Sequence, residues 1–339
     1  TVVPVPRGVI VERSRSVRAV LEELSPVVQA ASIDEFYLDL TGTERLFAPE
    51  TLTDSAWRIR RTVLDRTEIS VSLGGGTRRV IAKLATTAAK PAGIHIVAPG
   101  KEEDFLRTLD LADLPGVGPS LVEALAKKGL VRVEDALEVQ AEWLQRWFGQ
   151  RRGAWLHKRI RGVDSSEVDP HESRKSISSE RTFFADINDD EELELRLLKQ
   201  AGSVAATMRR KALRARTVTV KLRDHDFNTR QHSRTLPEPI ESDAAIYEVA
   251  KQLLAELRAD RSVPSRLLGV GLTGLVSVTD APQLGLFEDE VAGETERERQ
   301  VSRTVDELRG RFGGDAVVPG RLVDSMRRRR GGGNERVDG

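Results

Sequence analysis

Hydrophobic positions in the first hundred residues alternate between helical and strand spacing. Apolar residues at helical intervals predict a helix over about 14–24, and a second helix is predicted over about 53–66. Short strands are predicted over 68–73 and 94–97. Between them, Thr77 is the predicted N-cap of a helix with the apolar face Val80, Ile81, Leu84, Ala85 and Ala88. This order of elements indicates an α/β layer.

The stretch from Ser32 to Thr41 is rich in aromatic and aliphatic residues and predicts a strand. Asp34 and Glu35 would lie near its middle, in a buried apolar setting. Because neighbours in a regular strand point to opposite faces, one of the acids would have to be buried, or the strand locally twisted, for both to reach one site. Carboxylates are ligands that Mg²⁺ prefers, so the pair indicates a metal site. The alternative is a strand whose acids face solvent and whose Asp39 caps a turn.

From about residue 101 the pattern predicts short helices only. Within them, Leu114-Pro115-Gly116-Val117-Gly118 precedes an amphipathic helix that stops at Gly129. Two glycines in this spacing are typical of a helix-hairpin-helix, whose exposed N–H groups bind DNA phosphates without reading sequence. Gly116 and Gly118 are therefore candidate DNA contacts. A tight turn between two packed helices is the alternative.

A polar stretch over 162–173 predicts a linker, and a βαββαβ module follows it. Its strands are predicted over about 175–184, 217–223, 230–236 and 266–276, and its helices over 191–213 and 242–259. In the second strand, Val218, Val220 and Leu222 alternate with outward Thr217, Thr219, Lys221 and Arg223. Seven further cations predict a basic sheet face for DNA phosphates: Arg209, Arg210, Lys211, Arg214, Arg216, Arg230 and Arg234. A merely solvated sheet is the alternative.

Composition limits these interpretations without naming a function. The 339 residues suggest two or three domains, and 53 basic against 53 acidic side chains give no net charge. A nucleic-acid role must therefore rest on local clustering of charge. The chain has no cysteine, which excludes disulfides and a thiol nucleophile. No apolar run is long enough to cross a bilayer, so we expect a soluble intracellular protein with no membrane partner.

Several motifs in a fixed order resemble those of the Y-family, or translesion, DNA polymerases, most closely their DinB branch. The resemblance covers roughly residues 1–320. The motifs are Ser32–Glu35 with Tyr37–Asp39, Ala82–Ala85, Lys90–Gly93, the Leu114–Gly118 hairpin, Arg174–Ser176 and Glu180–Thr182.

The resemblance implies a multidomain α/β and α+β fold. We expect part of a palm with a mixed sheet over 1–100, and an all-helical thumb with the helix-hairpin-helix over 101–161. After the linker, a βαββαβ little finger is expected over 174–278. A last helix at about 299–312 and a disordered tail are expected within 279–339.

By the same resemblance, the activity is error-prone DNA synthesis in damage bypass and repair. Asp34 would bind one of two Mg²⁺ ions, and Glu35 would help position the metal and the primer 3′-hydroxyl. Lys90 matches the family lysine that contacts the incoming dNTP triphosphate, and Lys83 is a second basic residue on the same helix. The alternative for Lys83 is a surface lysine on an amphipathic helix. Arg181 joins Lys221 and Arg223 as an expected contact to primed DNA.

Gln283-Leu284-Gly285-Leu286-Phe287 looks like the pentapeptide that binds the bacterial sliding clamp. Gln283 would hydrogen-bond the rim of a pocket, with Leu286 and Phe287 as apolar anchors. The alternative is that its apolar residues pack back onto the chain. A monomer that joins the clamp in the bacterial cytoplasm, at the nucleoid, is expected.

One part of the family pattern is missing from this sequence. The strand with another metal-binding aspartate, the aromatic steric gate and the fingers would all precede Thr1. The chain is therefore expected to be a fragment or a truncated homologue, and to polymerise poorly by itself. A non-catalytic adaptor that binds DNA and the clamp is the alternative function. A helix-hairpin-helix nuclease is less favoured, because no second acid cluster has nuclease spacing.

Overall fold

The computed structural model describes residues 3, 5–43, 46, 50–171, 173–279 and 294–323. The chain divides into two compact units, Thr1–Glu172 and Ser173–Gly339. Over the described residues, no helix combines the length and apolar character that a membrane span requires.

The first half of unit 1 contains helices and two separate pairs of strands. Strands β1 and β2 pair antiparallel, and β3 and β4 pair parallel. The elements are α1 (Arg7–Leu24), β1 (Val27–Ala30), β2 (Phe36–Asp39), α2 (Leu52–Thr67), β3 (Leu73–Gly75), α3 (Arg79–Ala88) and β4 (Ile94–Ile96). Val17, Val20, Val28, Ile59 and Val63 form the core between α1, α2 and β1.

The strand predicted over 68–73 is wrong in position. Glu68 ends α2 in a left-handed conformation, and the strand begins only at Leu73. Gly74 and Gly75 form the rest of this strand and pack closely on α3, since a Cβ at Gly74 would stand 2.0 Å from the Thr86 backbone nitrogen. Only glycine permits this approach of strand to helix.

Helix α3 confirms four of the five residues of the predicted apolar face but not the predicted cap. Val80, Ile81, Leu84 and Ala85 are buried, whereas Ala88 at the end of the helix is exposed. The N-cap is Arg78, because the Thr77 hydroxyl instead donates to Glu102 Oε1 at 2.8 Å.

The rest of unit 1 is helical as predicted, and its core continues the buried face of α3. Gly153 lets two of its helices cross closely, since a Cβ there would lie 2.3 Å from the Gln145 backbone. The helices are α4 (Glu102–Arg107), a 3₁₀ turn (Leu111–Asp113), α5 (Pro119–Ala126), α6 (Val133–Leu137), α7 (Ala141–Phe148) and α8 (Gln150–Ile160).

Unit 2 contains the βαββαβ module, as predicted, followed by one more helix. Its four strands are antiparallel in the order β5-β8-β6-β7, and the buried side chains of α9 and α10 share one core with the sheet. The elements are β5 (Ser176–Ile187), α9 (Asp190–Arg209), β6 (Leu213–Asp224), β7 (Thr229–Ile240), α10 (Asp243–Asp260), β8 (Ser265–Ser277) and α11 (Glu296–Phe312). Helix α9 ends four residues before its predicted end, because Leu213 already belongs to β6.

Helix α11 joins the module mainly through polar contacts. Arg209, nearly buried, donates from Nε to Asp306 Oδ2 at 2.7 Å. Ahead of the helix, the Glu294 carboxylate accepts the backbone N–H of Glu241 at 2.8 Å. Both ends of the segment 280–293 are therefore attached to unit 2, at Thr279 after β8 and at Glu294.

Candidate active site and DNA-contact surfaces

Asp34 and Glu35 lie in the connection between β1 and β2, immediately before β2 begins. The prediction that they stand in mid-strand in a buried setting is therefore wrong, and both are exposed. The backbone N–H of Ala31 donates to the carbonyl of Glu35 at 2.9 Å, which closes the connection. Within it, the Asp34 N–H donates to Ser32 Oγ at 3.2 Å. Because the acids lie outside the regular strand, the rule of opposite faces does not separate them.

A cavity of about 1120 Å³ in unit 1 brings together the predicted acids and cations. Asp34, Glu35, Lys83 and Lys90 all line it. The cations come from α3 and the segment that follows it, whereas the acids come from the hairpin. Residues 48 to 56 positions apart in sequence thus share one open cavity.

Lys83 forms an ion pair with Glu35: its Nζ donates to Glu35 Oε1. Both side chains remain partly exposed, at 33% for Lys83 and 45% for Glu35. Lys90 is exposed just beyond α3, and we find no ion pair of its side chain within the described ranges. One predicted triphosphate cation, Lys83, therefore contacts Glu35, and the other, Lys90, is available to an anion.

Asp39 closes β2 as a turn residue, in agreement with the structural role considered for it. Its Oδ1 accepts from the Thr41 hydroxyl at 2.6 Å and from the Thr41 backbone N–H at 2.9 Å. These two bonds, chiefly that from the hydroxyl, hold the pKa of the Asp39 carboxyl below its ordinary value.

The donor set of the cavity fits a magnesium ion. Mg²⁺ binds through one or two carboxylates and completes its shell with water and substrate phosphates, and Asp34 and Glu35 supply two carboxylates. No cluster of three or more potential metal ligands exists among the residues that the structure describes. The pair therefore suits an ion that shares its shell with substrate rather than a closed protein cage.

The glycine hairpin has the geometry that its spacing predicts. Gly116 has φ +93°, and a Cβ there would lie 2.7 Å from the Trp155 ring, so only glycine fits. Gly118 is the N-cap of α5 and has open space where a Cβ would stand. Pro119 has no N–H and the Leu121 N–H donates to the Gly118 carbonyl at 2.9 Å, which leaves the Ser120 N–H of the first turn for a phosphate.

The outer face of the unit 2 sheet carries the predicted row of hydroxyls and cations. Val218, Val220 and Leu222 are fully buried, so the alternation along β6 is confirmed. On the other face, Thr217 contacts Thr235 and Thr219 contacts Ser233, each at 2.9 Å between hydroxyl oxygens. Further along β6, Lys221 pairs with Glu180 of β5. Arg223 Nε donates to the Thr229 hydroxyl at 2.8 Å.

The prediction of a wider basic face is wrong for four of its seven cations. Register pairs Arg230 with Leu222 and Arg234 with Val218, which puts both arginines on the face covered by helices. Arg230 binds the buried Asp224 carboxylate at 3.0 Å, and Arg234 binds Glu256 at 2.6 Å. Arg209 and Arg214 are likewise held by acids, at Asp306 and Glu241.

Arg181 also lies apart from Lys221 and Arg223. It is opposite Leu268, a core residue, so its position in the edge strand β5 belongs to the helix side of the sheet. Glu180, its neighbour, is the residue that faces Lys221. Sequence analysis missed this acid, although its place next to the outward positions of β5 follows from the strand period.

Comparison with known proteins is decisive at this point. Residues 1–87 match the impB/mucB/samB family, and residues 174–286 match the C-terminal domain of that family. Residues 112–164 match the family described as DNA polymerase-iota, thumb domain. DNA polymerase IV of Caulobacter vibrioides is 36% identical over 313 residues, which are 92% of this chain and 75% of that protein.

The chain belongs to the Y family of DNA polymerases. DNA polymerase IV of Desulfatibacillum aliphaticivorans is 34% identical and covers 95% of this chain and 80% of its own length. A solved Y-family DNA polymerase chimera, Dbh-Dpo4(243-245)-Dbh, superposes with a TM-score of 0.71 at 24% identity, covering 81% of this chain and 78% of its own. The insertion ternary complex of Dbh DNA polymerase superposes with a TM-score of 0.57, at the same identity and the same coverage of both chains.

These likenesses confirm the predicted family, the DNA polymerase activity class and the multidomain fold with a helix-hairpin-helix thumb. The catalytic, DNA and clamp residues of this Y-family polymerase remain predictions. Gln283, Leu286 and Phe287 lie outside the described residues.

Proposed function

We propose that this Y-family chain carries out template-directed, error-prone transfer of deoxynucleotides to a primer 3′-hydroxyl, in the bypass and repair of damaged DNA. The observation that carries the proposal is the cavity in unit 1, where Asp34 and Glu35 face the same space as Lys83 and Lys90. Carboxylates for a metal and cations for a triphosphate are the two requirements of phosphoryl transfer.

Asp34 and Glu35 hold the catalytic metal in this proposal, with two Mg²⁺ ions expected. Bound Mg²⁺ would stabilise the attacking and leaving oxygens of an in-line displacement at phosphorus. Lys90 binds the triphosphate of the incoming dNTP and offsets the charge that develops on pyrophosphate. With a metal on Glu35, Lys83 would lose this partner and would serve as a second cation for the triphosphate.

Two surfaces would hold primed DNA by its backbone. The N–H groups around Gly116 and Gly118 suit a phosphate, and the open hydroxyl face with Lys221 and Arg223 suits a run of them. Arg181, on the other side of its strand, would bind at the sheet edge instead. None of these groups reads base edges, which suits an enzyme that must accept any template sequence.

The segment from Gln283 to Phe287 would bind a bacterial sliding clamp. In sequence the segment lies between β8 and α11, both of which belong to unit 2, and this position supports the proposal. A monomer that joins the clamp on chromosomal DNA in the cytoplasm follows from this proposal.

Primer extension tests the function. The protein encoded by the complete reading frame that contains this chain is given a primed template, Mg²⁺ and one dNTP at a time. We expect addition of the complementary nucleotide first, and of mismatched ones at an appreciable rate. Binding of primed DNA and clamp with no incorporation of any nucleotide would contradict the polymerase and favour the non-catalytic adaptor.

A further inference from the structure

Two tryptophans on α7 form a partly exposed aromatic pair that the proposed function does not use: Trp143 is exposed, whereas Trp147 is half-buried and packs against the core of unit 1. The whole chain has four tryptophans, and Trp143 and Trp147 stand one helical turn apart on the same side of α7. Their ring centroids are 6.0 Å apart with a tilt of 39°. Trp143 is 49% exposed, whereas Leu144, next to it, is fully buried and anchors the helix. The core therefore does not need the Trp143 ring.

Cations border both rings. The Arg146 guanidinium lies 5.7 Å from the centroid of Trp143, and the Lys128 ammonium lies 5.3 Å from the centroid of Trp147. Within the described part of the chain, neither cation forms a salt bridge with a carboxylate. We call Lys128, Trp143, Arg146 and Trp147 the tryptophan patch.

The tryptophan patch is separate from the glycine hairpin. Helix α5 begins beyond Gly118 and ends at Ala126, so Lys128 follows the end opposite to the hairpin. Eight residues of α-helix span about 12 Å. A phosphate bound at the hairpin therefore leaves the tryptophan patch open.

We propose that the tryptophan patch binds single-stranded nucleic acid. Unpaired bases stack on exposed aromatic rings whatever their sequence, while neighbouring cations bind the phosphates. The pairing of ring faces with uncompensated positive charge supports this occupant.

Binding of a fluorescent oligo(dT) of about 10 nucleotides, within the usual size of such sites, tests the proposal. We expect Trp143→Ala to weaken binding about 5- to 100-fold, the range for loss of one stacking aromatic, and Trp143→Phe to restore most of it. Arg146→Ala should reduce the slope of log affinity against log salt by about 0.7, since one phosphate contact is lost.

Trp57→Ala is the matched control. Trp57 is 48% exposed and has Arg60 at 5.6 Å from its ring, but no second aromatic ring stacks near it among the described residues. Its substitution should leave oligo(dT) binding within about twofold. Equal melting temperatures of the variants exclude misfolding.

Quenching of tryptophan fluorescence gives a second readout that is specific to the site. Saturating oligo(dT) should quench the wild type and Trp57→Phe more than Trp143→Phe. Unchanged affinity and unchanged quenching in the Trp143 variants would overturn the proposal and assign the tryptophan patch to a protein contact. The assay needs neither dNTP nor metal, so its result is independent of polymerase activity.

Discussion

The ammonium of Lys83 on α3 donates to the carboxylate of Glu35 in the β1–β2 connection. A predicted ligand of the triphosphate thus neutralises a predicted ligand of the metal. A cation that binds this acid competes with Mg²⁺ for the same oxygens. The pair therefore gives the metal-free site a way to remain compensated in charge until metal and nucleotide arrive.

Removing Lys83 should tighten metal binding in the absence of nucleotide. In Lys83→Ala the Glu35 carboxylate has no competing cation, and an exposed pair contributes about 0.2–1 kcal/mol, so Mn²⁺ affinity should rise about 1.4- to 5-fold. Electron paramagnetic resonance of free Mn²⁺ measures this affinity. Lys127→Ala breaks a comparable pair with Glu123 in the thumb and serves as the control. Weaker Mn²⁺ binding in Lys83→Ala would contradict competition between Lys83 and the metal.

Glu180 should restrain the binding of duplex DNA to the sheet. Its carboxylate neutralises Lys221, so Glu180→Gln frees the cation for phosphate and should tighten binding. Lys221→Ala should weaken binding equally for all sequences and reduce the salt slope by about 0.9. Fluorescence anisotropy at several salt concentrations measures both. If Glu180→Gln and Lys221→Ala bound duplex DNA with the same affinity, Lys221 would not belong to the DNA interface.

Gly116 and Gly118 should differ sharply in their tolerance of alanine. Gly116→Ala would place a methyl against Trp155 and hold alanine at positive φ, which costs about 1–2 kcal/mol for the backbone and about 1–3 for overpacking. Gly118→Ala meets nothing within 4 Å and should cost less than about 1 kcal/mol as a poorer N-cap. Urea unfolding compares them, and equal free energies of unfolding would contradict the hairpin geometry.

Protonation of Asp39 should make unit 1 less stable in acid. Its pKa is lowered in the folded state, so it stabilises the fold above its unfolded value of about 3.9. That contribution disappears as pH falls through the lower folded pKa. Thr41→Val removes the hydroxyl donor and keeps the backbone donor, so the pKa should rise part of the way back.

Carboxyl chemical shifts against pH give the Asp39 pKa directly. Thr43→Val is the control, because the Thr43 hydroxyl donates to a backbone carbonyl and touches no acid. A pKa of Asp39 that is unchanged in Thr41→Val would exclude the hydroxyl as its principal cause.

Periodic patterns predicted the fold best. The alternation of Val218 with Lys221 in β6, and the buried face of α3, follow from strand and helix periods, which local sequence contains. The pairing register between strands does not follow from local sequence, and this is why the prediction placed Arg230 and Arg234 on the wrong face. The turn at Asp34 was missed because the apolar residues around it favour a strand. In the structure, the hydrogen bonds from the Ala31 N–H to the Glu35 carbonyl and from the Asp34 N–H to Ser32 Oγ form a turn there. The cavity depends on contacts 48 residues apart and has no local signal.

Primer extension by the Asp34→Asn and Glu35→Gln variants, in the protein encoded by the complete reading frame, tests whether the cavity in unit 1 is the active site. The exposed acid Asp65 on α2 provides the control Asp65→Asn. We expect the incorporation rate of Asp34→Asn to fall at least about 100-fold, since even residues that only support metal ligands cost 10- to 100-fold. Glu35→Gln should also lose rate, and Asp65→Asn should keep it. Incorporation by Asp34→Asn at the rate of the control would contradict the assignment of this cavity as the active site.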